Sequence, residues 1–129
     1  MAQDTLLKAA TKKLGREPDL IVNLYDLTIE HDSARHLKET GRTRSEVIGE
    51  HSRNFVDRES NELIGGAIKE IVMRGQARLK INVRKKNGGI LAETFAAKMA
   101  MIGPTPYALM VSETLDATAT TKKHATGAG

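Results

Sequence analysis

At 129 residues, with 40% apolar and 28% charged side chains, the chain fits one globular domain with a core of Leu, Ile, Val and Met. It has no cysteine, which excludes disulfides, cysteine nucleophiles and thiolate metal sites, and no tryptophan, so two Phe and two Tyr are its whole aromatic content. The formal charge of +4 is scattered over Lys12 and Lys13, Arg42 and Arg44, Arg84 to Lys86, and Lys122 and Lys123, so no nucleic-acid surface is expected.

No apolar run approaches the roughly 18 residues that span a bilayer, and the N-terminus lacks the apolar stretch of a secretory leader. A cytoplasmic protein without membrane partners is expected. Residues 1–17 hold an amphipathic helix, predicted over 4–15. Asp4 or Thr5 caps it, Gly15 ends it, and Leu6, Leu7, Ala10 and Leu14 form its apolar stripe. So short a helix is marginal alone, and its stripe needs a surface to lie on.

Residues 18–118 form the main domain. The run Asp19 to Tyr25 reads as a buried strand, Asp26-Leu27 as a tight turn, and Thr28 to His31 as a second short strand. Helical turns follow over 33–40 and 44–48, stopped by Gly41 and Gly49, with a further short turn carrying Phe55. The clearest helix is predicted over 59–74. Leu63, Ile64, Ala67, Ile68, Ile71 and Val72 are its apolar face, Ser60 its cap and Gly75 its stop. Strict alternation then marks a strand with Ala77, Leu79, Ile81 and Val83 on one face. Asn87-Gly88 predicts a two-residue hairpin turn that pairs Val83 with Ala92, Ile81 with Thr94 and Leu79 with Ala96. A turn at Gly103 to Pro106 leads to a last strand, Tyr107 to Leu115, and residues 119–129 read as a disordered tail.

Two short strands, small helices, one longer helix and three antiparallel strands make the order of a PAS domain, and four segments resemble that family's patterns. Thr40 to Gly49 is similar to "TGYSREELIG", and Asn54 to Glu59 to "DFVHPED". Arg84 to Ile90 is similar to "RRKDGSI", and Leu115 to Thr118 to the closing "RDIT". One departure is Asp32, where the family usually has Asn. The resemblance implies an α+β fold: a five-stranded antiparallel sheet with helices packed on one face, preceded here by the N-terminal helix. It also implies a sensory, signal-transducing role without catalysis. Either a small, mostly apolar ligand is sensed in an internal cavity, or the domain is a ligand-free protein–protein interaction and dimerisation module with a filled core. Asp116 and Thr118 would be the signal exit, toward an output partner that the residues do not name.

The chemistries open to such a domain can be tested on these residues. Without Cys, covalent flavin chemistry and a thiol-linked chromophore are excluded. The long helix has no His to serve as a proximal haem ligand, and His31, His36, His51 and His124 show no metal-ligand spacing. The cofactor stays unassigned. No phosphate loop or nucleophile elbow is present, and Asp57, Glu59 and Glu62 read as a charged first helical turn. The candidate cavity wall is Ile64, Ile68 and Ile71 with Leu79, Ile81 and Val83, then Tyr107, Leu109 and Val111 on the last strand. Plain core packing is the competing reading for each.

The two-residue turn carries two further expectations. It puts Lys98 on the inner face beside Val111, where it pairs with Glu113 or holds an anionic ligand group, unless a bulge near Ala96-Ala97 turns it to solvent. It puts Leu91, Phe95, Ala97, Met99 and Met101 on the outer face, continued by Ala108 and Met110. A face so apolar needs a cover, and a homodimer through that face and Leu6, Leu7 and Leu14 is expected.

Overall fold

The computed structural model describes residues 2–118; the tail expected over 119–129 lies outside them. The chain order is α1 (Gln3–Leu14), β1 (Leu20–Asn23), β2 (Ile29–Asp32), α2 (Ala34–Thr40) and α3 (Arg44–Val47). A 3-10 turn (Ser52–Phe55) follows, then α4 (Arg58–Arg74), β3 (Gln76–Arg84), β4 (Ile90–Ile102) and β5 (Thr105–Ser112). A last helical segment, α5, covers 113–118. The five strands form one sheet in the order β2-β1-β5-β4-β3, and every neighbouring pair is antiparallel.

Local chemistry sets the helix ends. Gly15, Gly41 and Gly75 close α1, α2 and α4 at φ of 83°, 77° and 79°, a region costly to any residue with a Cβ. Ser33 caps α2 by accepting the His36 N–H. Ala2 precedes the first residue of α1 with no side-chain bond, so Asp4 lies in the first turn and is not the cap. The α4 cap is Asp57, whose carboxylate accepts the Ser60 N–H at 2.7 Å. Ser60, expected to be the cap, instead sits buried in the first turn. Its Oγ accepts the Asn82 N–H at 2.7 Å, and Asn82 Nδ2 donates to Asp57. With the isolated bridge Val56↔Val83, this ties the start of α4 to the outer edge of β3.

The β3–β4 turn differs from the expected one by a residue, and that changes both sheet faces. Gly88 N–H donates to Lys85 O, and Lys85 N–H donates to Gly89 O. Only Gly88 of the turn has positive φ, at 91°. Asn87 keeps negative φ, and its side-chain oxygen takes the Gly89 N–H at 2.8 Å. The result is a type I turn with a glycine bulge. It pairs Val83 with Leu91, Ile81 with Glu93 and Leu79 with Phe95. A slip of one residue reverses every side chain of β4.

Two apolar layers result. The inner one packs Phe95, Ala97, Ala108 and Met110 with Leu79, Ile81, Val83, Ala67 and Ile71, and Leu91 and Met99 lie against it. The outer one lies under α1: Leu6 and Ala10 are buried on Ile21, Ala100, Ile102, Tyr107 and Leu109, with Leu7 and Leu14 alongside. Burial of a leucine such as Leu6 contributes about 1.5–3 kcal/mol, enough to hold a helix that is marginal alone.

Candidate functional site

An internal cavity of about 70 Å³ lies between the inner sheet face and the helices. Ile64, Ile68 and Ile71 of α4 and Leu79, Ile81 and Val83 of β3 line it, with Leu20, Val22, Ala108 and Met110 from the central strands. The α4 face is narrower than its sequence stripe, since Leu63 and Val72 are exposed. The rest of the expected wall is elsewhere. Tyr107 and Leu109 belong to the layer under α1, and Val111, buried on the same row of β5, does not line the cavity. Lys98 is exposed, and Glu113 pairs with Arg78 instead, at 2.7 Å. The small residues Ala92, Thr94, Ala96 and Ala100 of β4 do not line it either.

The same reversal corrects the interface. Phe95 is fully buried on the inner face, Met110 lines the cavity, and Leu91 and Met99 pack on the inner core. Met101, at the far end of β4, is exposed. Leu6, Leu7 and Leu14 lie on the chain's own sheet. The apolar outer face that called for a second copy is therefore inside or covered by α1.

One end of the cavity is polar. His36 sits between two carboxylates, with Nδ1 2.7 Å from Asp32 and Nε2 2.8 Å from Glu93. All three are buried, and the Phe95 ring stands edge-on to His36 at 5.8 Å. Burial alone would lower the imidazole's pKa. The bonds to Asp32 and Glu93 and their charges outweigh it and push His36 up to about 10. His36 is therefore an imidazolium donating from both ring nitrogens. Burial raises Asp32, and the bond from His36 offsets only part of that. Asp32, the departure from the family pattern, is thus the residue that orients His36. The spacing Asp32 to His36 was visible in the chain; Glu93 was not, because the expected register turned it outward.

Three buried side-chain atoms among the described residues have no hydrogen-bond partner: Arg42 Nε, Ser52 Oγ and Glu93 Oε2. Arg42 and Ser52 line the cavity. No group of His, Cys, Asp and Glu among the described residues could hold a metal ion, and no described helix is long and apolar enough to cross a membrane.

A second polar network gathers the ends of the domain. Asp19, 2% exposed, accepts from Arg35 Nε and Nη2, Ser33 Oγ and the Ser112 N–H at 2.6–2.8 Å. Arg35 Nη1 continues to Asp116 at 2.8 Å, and Arg16 forks onto the same carboxylate at 3.0 and 3.1 Å. Asp116 in α5 therefore joins α2 to the segment after α1. Thr118 Oγ1 donates to Thr114 O within α5. Burial pushes Asp19 up, but its hydrogen bonds and Arg35 win and hold it below the ordinary carboxylate value. The bond from Arg16, opposed by burial and aided by Arg35, does the same for Asp116.

These features define a single-sheet α+β domain with an internal cavity walled by its longest helix. It has the PAS fold. The PAS domain of an HTR-like protein from Haloarcula marismortui superposes with a TM-score of 0.64 at 17% identity, over 86% of this chain and 96% of that one. Drosophila melanogaster Cycle PAS-B with bound ethylene glycol gives 0.61 at 9% identity, over 72% and 96%. A PAS domain from Desulfitobacterium hafniense gives 0.61 at 15%, over 79% and 97%. No family model and no curated protein matches the sequence.

Proposed function

We propose that this domain is a sensor. A small, mostly apolar molecule occupies the cavity, and its presence is passed to an output partner through α1 and α5. The observation that carries the reading is the cavity itself, apolar along α4 and β3 and charged at one end. Its volume suits a small molecule and lies well below the 300–1,000 Å³ pockets that hold drug-sized molecules. The similar Cycle PAS-B carries bound ethylene glycol, itself a very small molecule. The route outward is physical. Met110 lines the cavity on β5, and Ser112 at the end of that strand donates to Asp19. Asp19 holds Arg35, and Arg35 holds Asp116.

Xenon is a suitable first probe, since it enters apolar cavities without needing polar contacts. Under xenon pressure, methyl signals of Ile64, Ile68 and Leu79 should shift, and amide signals over 113–118 should follow with the same saturation. Methyl shifts without any change in α5 would refute the route. No shifts at all would leave the ligand-free interaction module as the better reading.

A further inference from the structure

We infer that the ligand carries a carboxylate, received by Arg42 Nε and Ser52 Oγ on the cavity wall; this rests on the ligand-sensing reading above. Both atoms are buried and unpartnered, and both residues line a cavity whose wall is mostly apolar. A buried N–H or O–H without an acceptor is costly, so a ligand supplying one gains what the empty site lacks. The two groups share a wall. Ser52 and Phe55 are three apart in the 3-10 turn, where side chains at that spacing eclipse. The Arg42 guanidinium stacks on Phe55, 4.9 Å from its ring centre. Its Nη2 donates to the Arg84 carbonyl at 3.1 Å, and no carboxylate pairs with Arg42 among the salt bridges of the described residues. The site thus offers one uncompensated positive charge and two free donors.

Asp32 and His36 also line the cavity, but there the imidazolium is already engaged by Asp32 and Glu93. A carboxylate head therefore finds its free donors at Arg42 and Ser52, which sets one orientation. The apolar body then lies along Ile64, Ile81 and Met110.

Hexanoate and hexanol, the same chain with and without the charge, test this by calorimetry on the full chain. Hexanoate should bind wild type at least about tenfold more tightly than hexanol, as expected for hydrogen bonds to a charged group. Ser52→Ala and Arg42→Gln should each weaken hexanoate by about tenfold and hexanol by much less. Ser52 Oγ bonds nothing in the protein, so Ser52→Ala stays folded even if Arg42→Gln does not. Equal binding of the two probes to wild type, or variants that hold hexanoate as well as wild type, would overturn the carboxylate inference. The cavity reading would survive that result. If neither probe binds, the sensory reading fails with it.

Discussion

The domain has two charge networks, and they differ in where they end. Asp32, His36 and Glu93 form a sealed trio inside the core, each member at most 3% exposed. The other network starts as deeply, at Asp19, but runs outward through Arg35 and Asp116 to Arg16, whose side chain is 47% exposed. Water can screen and replace the outer links of the second network, and it cannot reach the first. The comparison teaches that the sealed trio fixes one packing of α2 against the sheet. The graded network can exchange partners at its outer end at small cost, as a signal route must.

Removing the centre of the trio should have the largest effect. His36→Ala leaves two buried carboxylates facing each other and should cost about 3–5 kcal/mol by urea unfolding. A loss below about 1 kcal/mol would mean that water enters the trio and that the two networks are not different in kind.

The networks should also respond to pH with opposite signs. His36 and Asp32 both have raised pKa values, so the folded trio binds more protons than the unfolded chain, and stability falls as pH rises. The His36 contribution is fully present below about 6.5 and is lost as pH rises through about 10. Asp19 and Asp116 are lowered, so their contribution is present above the ordinary value of 3.8 and is lost as pH falls below it. Unfolding curves of wild type and His36→Gln should converge at alkaline pH, and those of wild type and Asp19→Asn at acid pH. Parallel curves in either pair would remove the assignment for that network.

Next in size, Asp19→Asn should cost about 1.5–3 kcal/mol, because charged hydrogen bonds from a partly exposed Arg35 are lost or weakened. The smallest effect is expected at the rim: Arg16→Ala should cost under about 1 kcal/mol, and less in high salt. Thermal unfolding at two salt concentrations measures it. A large, salt-independent loss would place Arg16 inside the rigid part of the network.

How much of this the chain disclosed depended on which strands are apolar on one side only. Leu79, Ile81 and Val83 alternate with Arg78, Lys80 and Asn82, so the inward row of β3 is plain in the sequence. The inner face of α4 is plain for the same reason. In β4 both rows are rich in apolar residues, because α4 covers one face and α1 part of the other. Alternation then cannot choose a face, and the turn alone sets the register. Asn87-Gly88 favours a two-residue turn by composition, yet Asn87 binds the Gly89 N–H instead of taking positive φ. That one turn accounts for the misplacement of Lys98, Phe95 and Met99, and hid Glu93. The last strand went with it: Tyr107 and Leu109 line the α1 side, opposite to the expected face. The Asp19–Asp116 network was hidden for another reason, since it joins residues far apart in the chain and no local pattern announces it.

The tie between α4 and β3 protects the molecule from its own copies. β3 lies at the margin of the sheet, where free backbone N–H and C=O groups invite a strand from another molecule. Ser60 Oγ occupies the Asn82 N–H, and Val56 bridges Val83, so the most apolar stretch of that margin is already taken. Opening it would trade a hydrogen bond within the molecule for strand addition between molecules, and the product would be fibrils. Ser60→Ala should stay folded when dilute, yet form thioflavin-binding aggregate during concentrated incubation sooner than wild type. Identical lag times would mean that the charges of Arg78 and Lys80 suffice to keep neighbouring chains apart.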